Sequence, residues 1–223
     1  MRTETLNLNP SRGATTAFVA RPQSETTAAV ILIHEWWGIT DHVRDIAQRY
    51  AKEGFLCVAP DLFRGTTTTD AQEAAKLMHA LDTVDAIETI KTAVSETRRA
   101  YSAEQIGITG YCMGGTFALR AACEIDEIAA AAAFYGDIPE EKVLTKLKAP
   151  AFFFAGARDA WINSAKVALL KDAARMFSLP LEVVVYDADH AFFNDTRPEV
   201  YDPNAAADAW RRTLEHFRKH LKP

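Results

Sequence analysis

The chain of 223 residues carries 25 Lys and Arg against 30 Asp and Glu, a net charge of −5, with 48% apolar, 10% aromatic and 25% charged residues. These proportions fit a globular chain able to bury a sizeable core; they exclude disordered, collagen-like and repeat-fibre chains, and the acidic balance argues against a nucleic-acid partner. The odd set of three cysteines, at 57, 112 and 123, is not the framework of a small disulfide-stapled secreted scaffold. Residues 1–5 lack the apolar run of a signal peptide, and the longest apolar stretches, Ala28–Ile33 and Ala129–Phe134, are too short to cross a bilayer. The expectation is a cytoplasmic protein with no membrane segment.

In chain order, Glu4–Leu8 and Thr15–Ala20 alternate apolar and polar residues, the pattern of an antiparallel edge hairpin. Ala29–Ile33, Phe55–Ala59, Ile106–Thr109, Ala130–Tyr135, Ala151–Ala155 and Leu181–Tyr186 are continuous apolar runs rich in β-branched and aromatic residues, which predicts strands buried on both faces. Helical spacing fills the gaps. Val43, Ile46, Ala47 and Tyr50 line one face of a segment that Gly54 can end; Val84, Ile87, Lys91 and Val94 repeat the period, with Lys91 snorkelling. Thr66–Thr69 reads as a loop with a helix starting just after it. Val167, Leu170, Ala174 and Phe177 form a third stripe, and Ala207, Trp210, Leu214, Phe217 and Leu221 a fourth, with Asn204 as its N-cap. The alternation predicts a single α/β domain over residues 1–223: a mostly parallel central sheet, an N-terminal antiparallel edge hairpin, and helices on both faces.

Chemistry-bearing residues gather after three predicted strands. Gly110-Tyr111-Cys112-Met113-Gly114-Gly115 has the G-x-nucleophile-x-G spacing of an elbow, with Cys where Ser is usual. Such a turn holds its central residue in a strained conformation, and a following helix N-terminus favours thiolate and offers amides to an oxyanion. A glycine-rich turn around an inert buried cysteine has the same spacing. Asp159, after the strand at 151–155, either orients an imidazole or caps the next helix. His190, after the strand at 181–186 and beside Asp187 and Asp189, reads singly as a base, a ligand or a surface residue. Nucleophile, acid and histidine in that order, each after its own strand, is the chain order of an α/β-hydrolase triad. His42, His79, His216 and His220 fall on helical faces, where solvation is the ordinary reading. After the strand at 29–33 comes His34-Glu35-Trp36-Trp37-Gly38, which is not a zinc motif because Gly38 stands where the second histidine would be; no other Cys/His spacing makes a metal site, and no cofactor is expected. Glu35 in that aromatic stretch needs a partner if buried.

His34-Glu35-Trp36-Trp37-Gly38, Ala59-Pro60-Asp61-Leu62-Phe63, the Cys112 elbow, Phe134-Tyr135-Gly136 and His190-Ala191-Phe192-Phe193 together resemble the dienelactone hydrolase family, over about Val30 to Trp210. The resemblance implies an α/β-hydrolase fold and a triad of Cys112 as nucleophile, Asp159 as orienting acid and His190 as base. It implies that Glu35 contacts the resting thiol and helps generate thiolate when substrate binds, and that the amides of Trp36 and Met113 form the oxyanion hole. The reaction it implies is hydrolysis of an ester or lactone through a thioester. Family members that hydrolyse dienelactone hold its carboxylate with two arginines; here residues 65–96 contain no Arg, and the position four after His190 is Asn194. Arg64 and Arg197 are the nearby arginines in sequence. Trp36, Trp37, Phe63, Trp161, Phe192 and Phe193 fall in predicted loops near the site and are read as pocket wall. The expected partner is a small ester or lactone, flat or aryl, and the expected state a monomer or weak homo-oligomer. Competing readings are a carboxylesterase without dienelactone activity, a cysteine peptidase or amidase, and a redox-sensing thiol protein.

Overall fold

A computed structural model describes residues 1–222. Eight strands form one sheet in the order β1-β2-β4-β3-β5-β6-β7-β8: β1 (Arg2–Leu8), β2 (Thr15–Arg21), β3 (Ala28–Ile33), β4 (Leu56–Pro60), β5 (Gln105–Tyr111), β6 (Ile128–Phe134), β7 (Ala151–Gly156) and β8 (Leu181–Tyr186). β1 and β2 are the antiparallel edge pair, and from β4 to β8 the pairing is parallel. The helices are α1 (Asp41–Lys52), α2 (Ala71–Ala80), α3 (Thr83–Tyr101), α4 (Met113–Glu124), α5 (Glu141–Leu144), α6 (Ser164–Met176) and α7 (Pro203–His220).

The central strands are apolar throughout because both faces are covered. Along β3, Ala29, Ile31 and Ile33 enter the core under α3 and α4, while Val30 and Leu32 enter the core under α1 and α7. Each such branched residue, fully buried, contributes on the order of 1.5–3 kcal/mol. β8 departs from the expectation of burial on both faces: as the sheet edge it is only partly covered, and Val185 is exposed.

Two helix readings are corrected. On α3 the buried stripe is Ala86, Ile90, Ala93, Val94 and Thr97, so Val84 and Lys91 face solvent and Lys91 has no apolar surface to cover. Val94 belongs to the predicted and the observed stripe and Ile87 packs at its margin, while the small residues Ala86, Ala93 and Thr97 complete a buried face that periodicity of large residues does not detect. On α7 the N-cap is Asp202 rather than Asn204: its carboxylate accepts from the amides of Asn204 and Ala205, and Pro203 takes the first helical position, where a missing N–H costs nothing. No helix among the described residues is long and apolar enough to cross a membrane.

Candidate active site

β5 runs directly into α4 through Cys112, whose backbone sits at φ 56°, ψ −121°. That positive φ is a strained conformation for a residue with a Cβ. The turn closes only because two neighbours lack side chains: a Cβ on Gly110 would lie 2.1 Å from the Gly114 carbonyl oxygen, and one on Gly114 would lie 2.2 Å from that of Ile33. The Cys112 amide donates to Phe134 O (3.1 Å), fixing the turn to the end of β6. The thiol is buried, and burial first, then the charge of Glu35, pushes it up to about 12, against a hydrogen bond from the Met113 amide. Iodoacetamide should therefore label Cys112 slowly at neutral pH, with a rate still climbing about tenfold per unit at pH 10, as followed by peptide mapping; a plateau near pH 7 would contradict this picture.

At the neighbouring strand ends, Asp159 leaves β7 and His190 leaves β8. His190 Nδ1 donates to Asp159 Oδ2 at 2.6 Å, and Asp159 Oδ1 accepts from the amides of Trp161 (2.8 Å) and Ile162 (2.9 Å). Burial of Asp159 alone would raise its pKa, but the His190 bond and charge, with the two amides, outweigh it and hold the carboxyl below its ordinary value. Asp159 thus holds the imidazole and the amides of the turn that follows it, but it does not cap the next helix, whose N-cap is Asn163. Its sequence rivals are engaged elsewhere: Asp187 and Asp189 both pair with Arg158 on the surface. His190 Nε2 is buried and has no hydrogen-bond partner.

The loop after β3 is braced from below. His34, fully buried, donates from Nδ1 to Glu35 O (2.6 Å) and accepts at Nε2 from the Leu62 amide (3.1 Å), while Asp61 accepts from the amides of Phe63 (2.9 Å) and Gly65 (2.6 Å). Burial lowers the His34 pKa, in keeping with this neutral ring. The brace accounts for the two sequence motifs at 34–38 and 59–63, which form one structure.

Glu35 is buried, and its partner is one sequence reading missed. Asn194 Nδ2 donates to Glu35 Oε2 (2.7 Å), while Asn194 Oδ1 accepts from the Thr196 amide (3.1 Å) and hydroxyl (2.6 Å), which fixes the orientation of the carboxamide. Burial raises the Glu35 pKa, opposed by Asn194 and by the charges of His190 and Arg197. Among the described residues no hydrogen bond joins Glu35 to the Cys112 thiol; the carboxylate acts on it through its charge. The sign that pointed to Asn194 was its position four after His190, where an arginine was expected.

The loop aromatics divide. Trp36 packs edge-on against Trp37 (5.0 Å between ring centroids) and Trp161 (5.6 Å), and Trp161, half exposed, lies 5.0 Å from the His190 ring. Phe192 and Phe193, read as pocket wall, are instead core: the chain after His190 turns back under the sheet, seating Phe192 on Tyr135 and Tyr186, and Phe193 on Tyr111 and Phe134. Phe63 is likewise core, edge-on to His34. Arg64 also departs from the pocket reading, since its guanidinium is bound to Asp85 of α3 (2.8 Å). Arg197 lines a cavity of about 430 Å³ together with Glu35, Trp37, Thr68 and Asn194. His42 and His216 are not solvated: His42 is buried with Nδ1 3.3 Å from Asp195, and His216 bonds Pro150 O (3.0 Å). Among the described residues no cluster of His, Cys, Asp and Glu is placed to hold a metal ion.

A mostly parallel sheet with helices on both faces, and with an elbow cysteine after β5, an acid after β7 and a histidine after β8, defines an α/β-hydrolase. The chain belongs to the dienelactone hydrolase family, which residues 15–221 match, and is a hydrolase. Protein usf of Aquifex pyrophilus is 34% identical over 203 residues, covering 86% of this chain and 88% of that protein. A protein of Aquifex aeolicus named as a candidate carboxymethylenebutenolidase is 33% identical over 207 residues, covering 87% and 89%. A crystal structure of a candidate dienelactone hydrolase from Klebsiella pneumoniae superimposes with a TM-score of 0.89 at 29% identity, covering 99% of this chain and all of that one.

Proposed function

We propose that the protein hydrolyses esters or lactones of small carboxylic acids, with Cys112 as nucleophile, His190 as base and Asp159 as the acid that orients it. The observation that carries the reading is the 2.6 Å bond between His190 Nδ1 and Asp159 Oδ2, which leaves Nε2, buried and without a partner, as the ring nitrogen that can accept a proton from the thiol. His190 Nε2 takes the Cys112 proton, and the thiolate attacks the substrate carbonyl carbon. The oxygen, now negative, is held by the amides of Trp36 and Met113; losing one such donor typically costs about 3 kcal/mol. Collapse expels the alcohol, which leaves with the proton from His190, and a thioester remains. Water, giving its proton to His190, attacks the thioester; the acid departs and the thiol is regenerated.

The close packing of Gly114 on the carbonyl oxygens of Ile33 and His34 supports the assignment of the two amides, because it brings the start of α4 against the loop that carries Trp36. The raised pKa of the resting thiol supports a nucleophile activated only when His190 engages it. Glu35, whose negative charge opposes thiolate formation, keeps the free enzyme unreactive. Cys123 donates within its own helix to Leu119 O (3.2 Å), which supports a packing role and leaves Cys112 without a resolving thiol. Three buried free thiols support a reducing compartment, the cytoplasm, for what we read as one catalytic domain acting as a monomer or weak homo-oligomer.

Acid quenching during turnover of an aryl ester, followed by intact-mass and peptide analysis, is the test. One acyl group on Cys112, labile to hydroxylamine, is the expected result. Rapid turnover with the acyl group on another residue would overturn the assignment.

A further inference from the structure

His190 meets two aromatic rings, and they differ in what can reach them. Tyr135 stands edge-on to it at 5.1 Å between centroids, but Tyr135 is itself buried and packed on Phe192 and Phe134. Trp161 lies at 5.0 Å, tilted to the imidazole, and is 54% exposed, although a ring of that size is ordinarily covered. Its place is fixed from both ends. The Trp161 amide donates to Asp159 Oδ1 (2.8 Å), and its indole packs edge-on against Trp36 (5.6 Å). One open aromatic surface thus runs from the histidine of the proposed triad to the residue whose amide is assigned to the oxyanion.

Which half of an ester meets that surface follows from the path of the proton. In acylation the Cys112 sulfur bonds the carbonyl carbon, the bond from that carbon to the alcohol oxygen breaks, and His190 Nε2 returns the thiol proton to the departing oxygen. That oxygen must come within hydrogen-bond reach of Nε2, about 3 Å, so the group it carries starts beside the rings that border the imidazole. Packing closes Tyr135 to it, whereas Trp161 is open. We infer that Trp161 is the specificity residue for the alcohol half of the substrate and seats the ring of a phenol-type leaving group. The inference deepens the reading of Cys112 and His190 given above and rests on it. An aryl ring laid on the indole gains both buried area and the offset or edge-on contact that aromatic pairs favour; an aliphatic alcohol gains only part of the first.

The test compares kcat/KM for phenyl acetate and hexafluoroisopropyl acetate, which share an acyl group and whose alcohols are of comparable acidity. Trp161→Ala should lower the value for the phenyl ester by about tenfold and that for the fluoroalkyl ester by less than about threefold. Trp161→Phe, which keeps a ring at the position, should recover most of the loss. The variants should fold, because the indole is exposed and it is the backbone amide, which both retain, that holds Asp159. Equal losses on the two esters would mean that the side chain serves the Asp159 turn and would overturn the inference, as would an unchanged value for the phenyl ester. Either result leaves the nucleophile assignment standing. Near wild-type turnover of both esters by Cys112→Ala, or hydrolysis of neither by the wild-type protein, would overturn that assignment and the inference with it.

Discussion

Replacing Cys112 by alanine is expected to lower kcat/KM for an aryl acetate by about a thousandfold or more, the scale on which removal of a single nucleophile reduces a triad to the binding and oxyanion contributions that remain. The fold should hold. The side chain removed is small, the strained backbone at φ 56° is imposed by the Gly110 and Gly114 contacts rather than by the sulfur, and alanine is no less able than cysteine to adopt it. A melting temperature within a few degrees of wild type is therefore the control that separates lost chemistry from lost structure. Cys112→Ser should fall between the two, since a hydroxyl is a far poorer nucleophile than a thiolate yet keeps a transferable proton. Near wild-type turnover by Cys112→Ala would end the nucleophile assignment.

Asp159→Asn should cost about ten-thousandfold in kcat/KM, the loss seen where a triad acid becomes an amide and the imidazole is held in the wrong tautomer. The geometry explains why the amide is worse than a missing charge. Asp159 Oδ1 is held by the amides of Trp161 and Ile162, so an asparagine keeps its carbonyl oxygen there and turns its NH₂ toward His190 Nδ1. Nδ1 then accepts, the proton moves to Nε2, and the ring can no longer take a proton from the thiol. Asp159→Ala, which leaves the tautomer free, should retain more activity than Asp159→Asn despite losing its bonds to the turn. The reverse order would mean that Asp159 serves the turn and not the histidine.

Much of this architecture is legible in sequence because its signals are local. Continuous apolar runs mark the six strands from β3 to β8, and the chemistry-bearing residues follow directly at their carboxyl ends, where a parallel sheet collects them. What escaped is non-local. The bond between Asn194 and Glu35 joins residues 159 positions apart, and no spacing rule connects an asparagine to a distant acid. Phe192 and Phe193 are core because the chain after His190 returns to the sheet face shared with α1 and α7, and a loop position in sequence does not reveal that turn. His42 sits one residue into α1, and the segment holding Asp195 covers it, a contact between distant stretches that helical spacing does not show. Arg64 looked available until Asp85, 21 residues on and in the next helix but one, closed on it.

The dispersal of the site over separate strand ends bears on when the protein becomes active. Glu35, Cys112, Asp159 and His190 are spread along most of the chain and meet only once β3, β5, β7 and β8 have aligned side by side. Parallel neighbours need crossover connections, so each alignment closes a long loop before it is rewarded with contacts, and such topologies form slowly. During synthesis, a ribosome must deliver the chain beyond residue 194 before Asn194 can reach Glu35 or His190 can reach Asp159. A nascent or truncated product lacking the last quarter of the chain has its thiol and its elbow but neither histidine nor clamp. On the proposed assignment, activity would therefore report complete assembly of the chain.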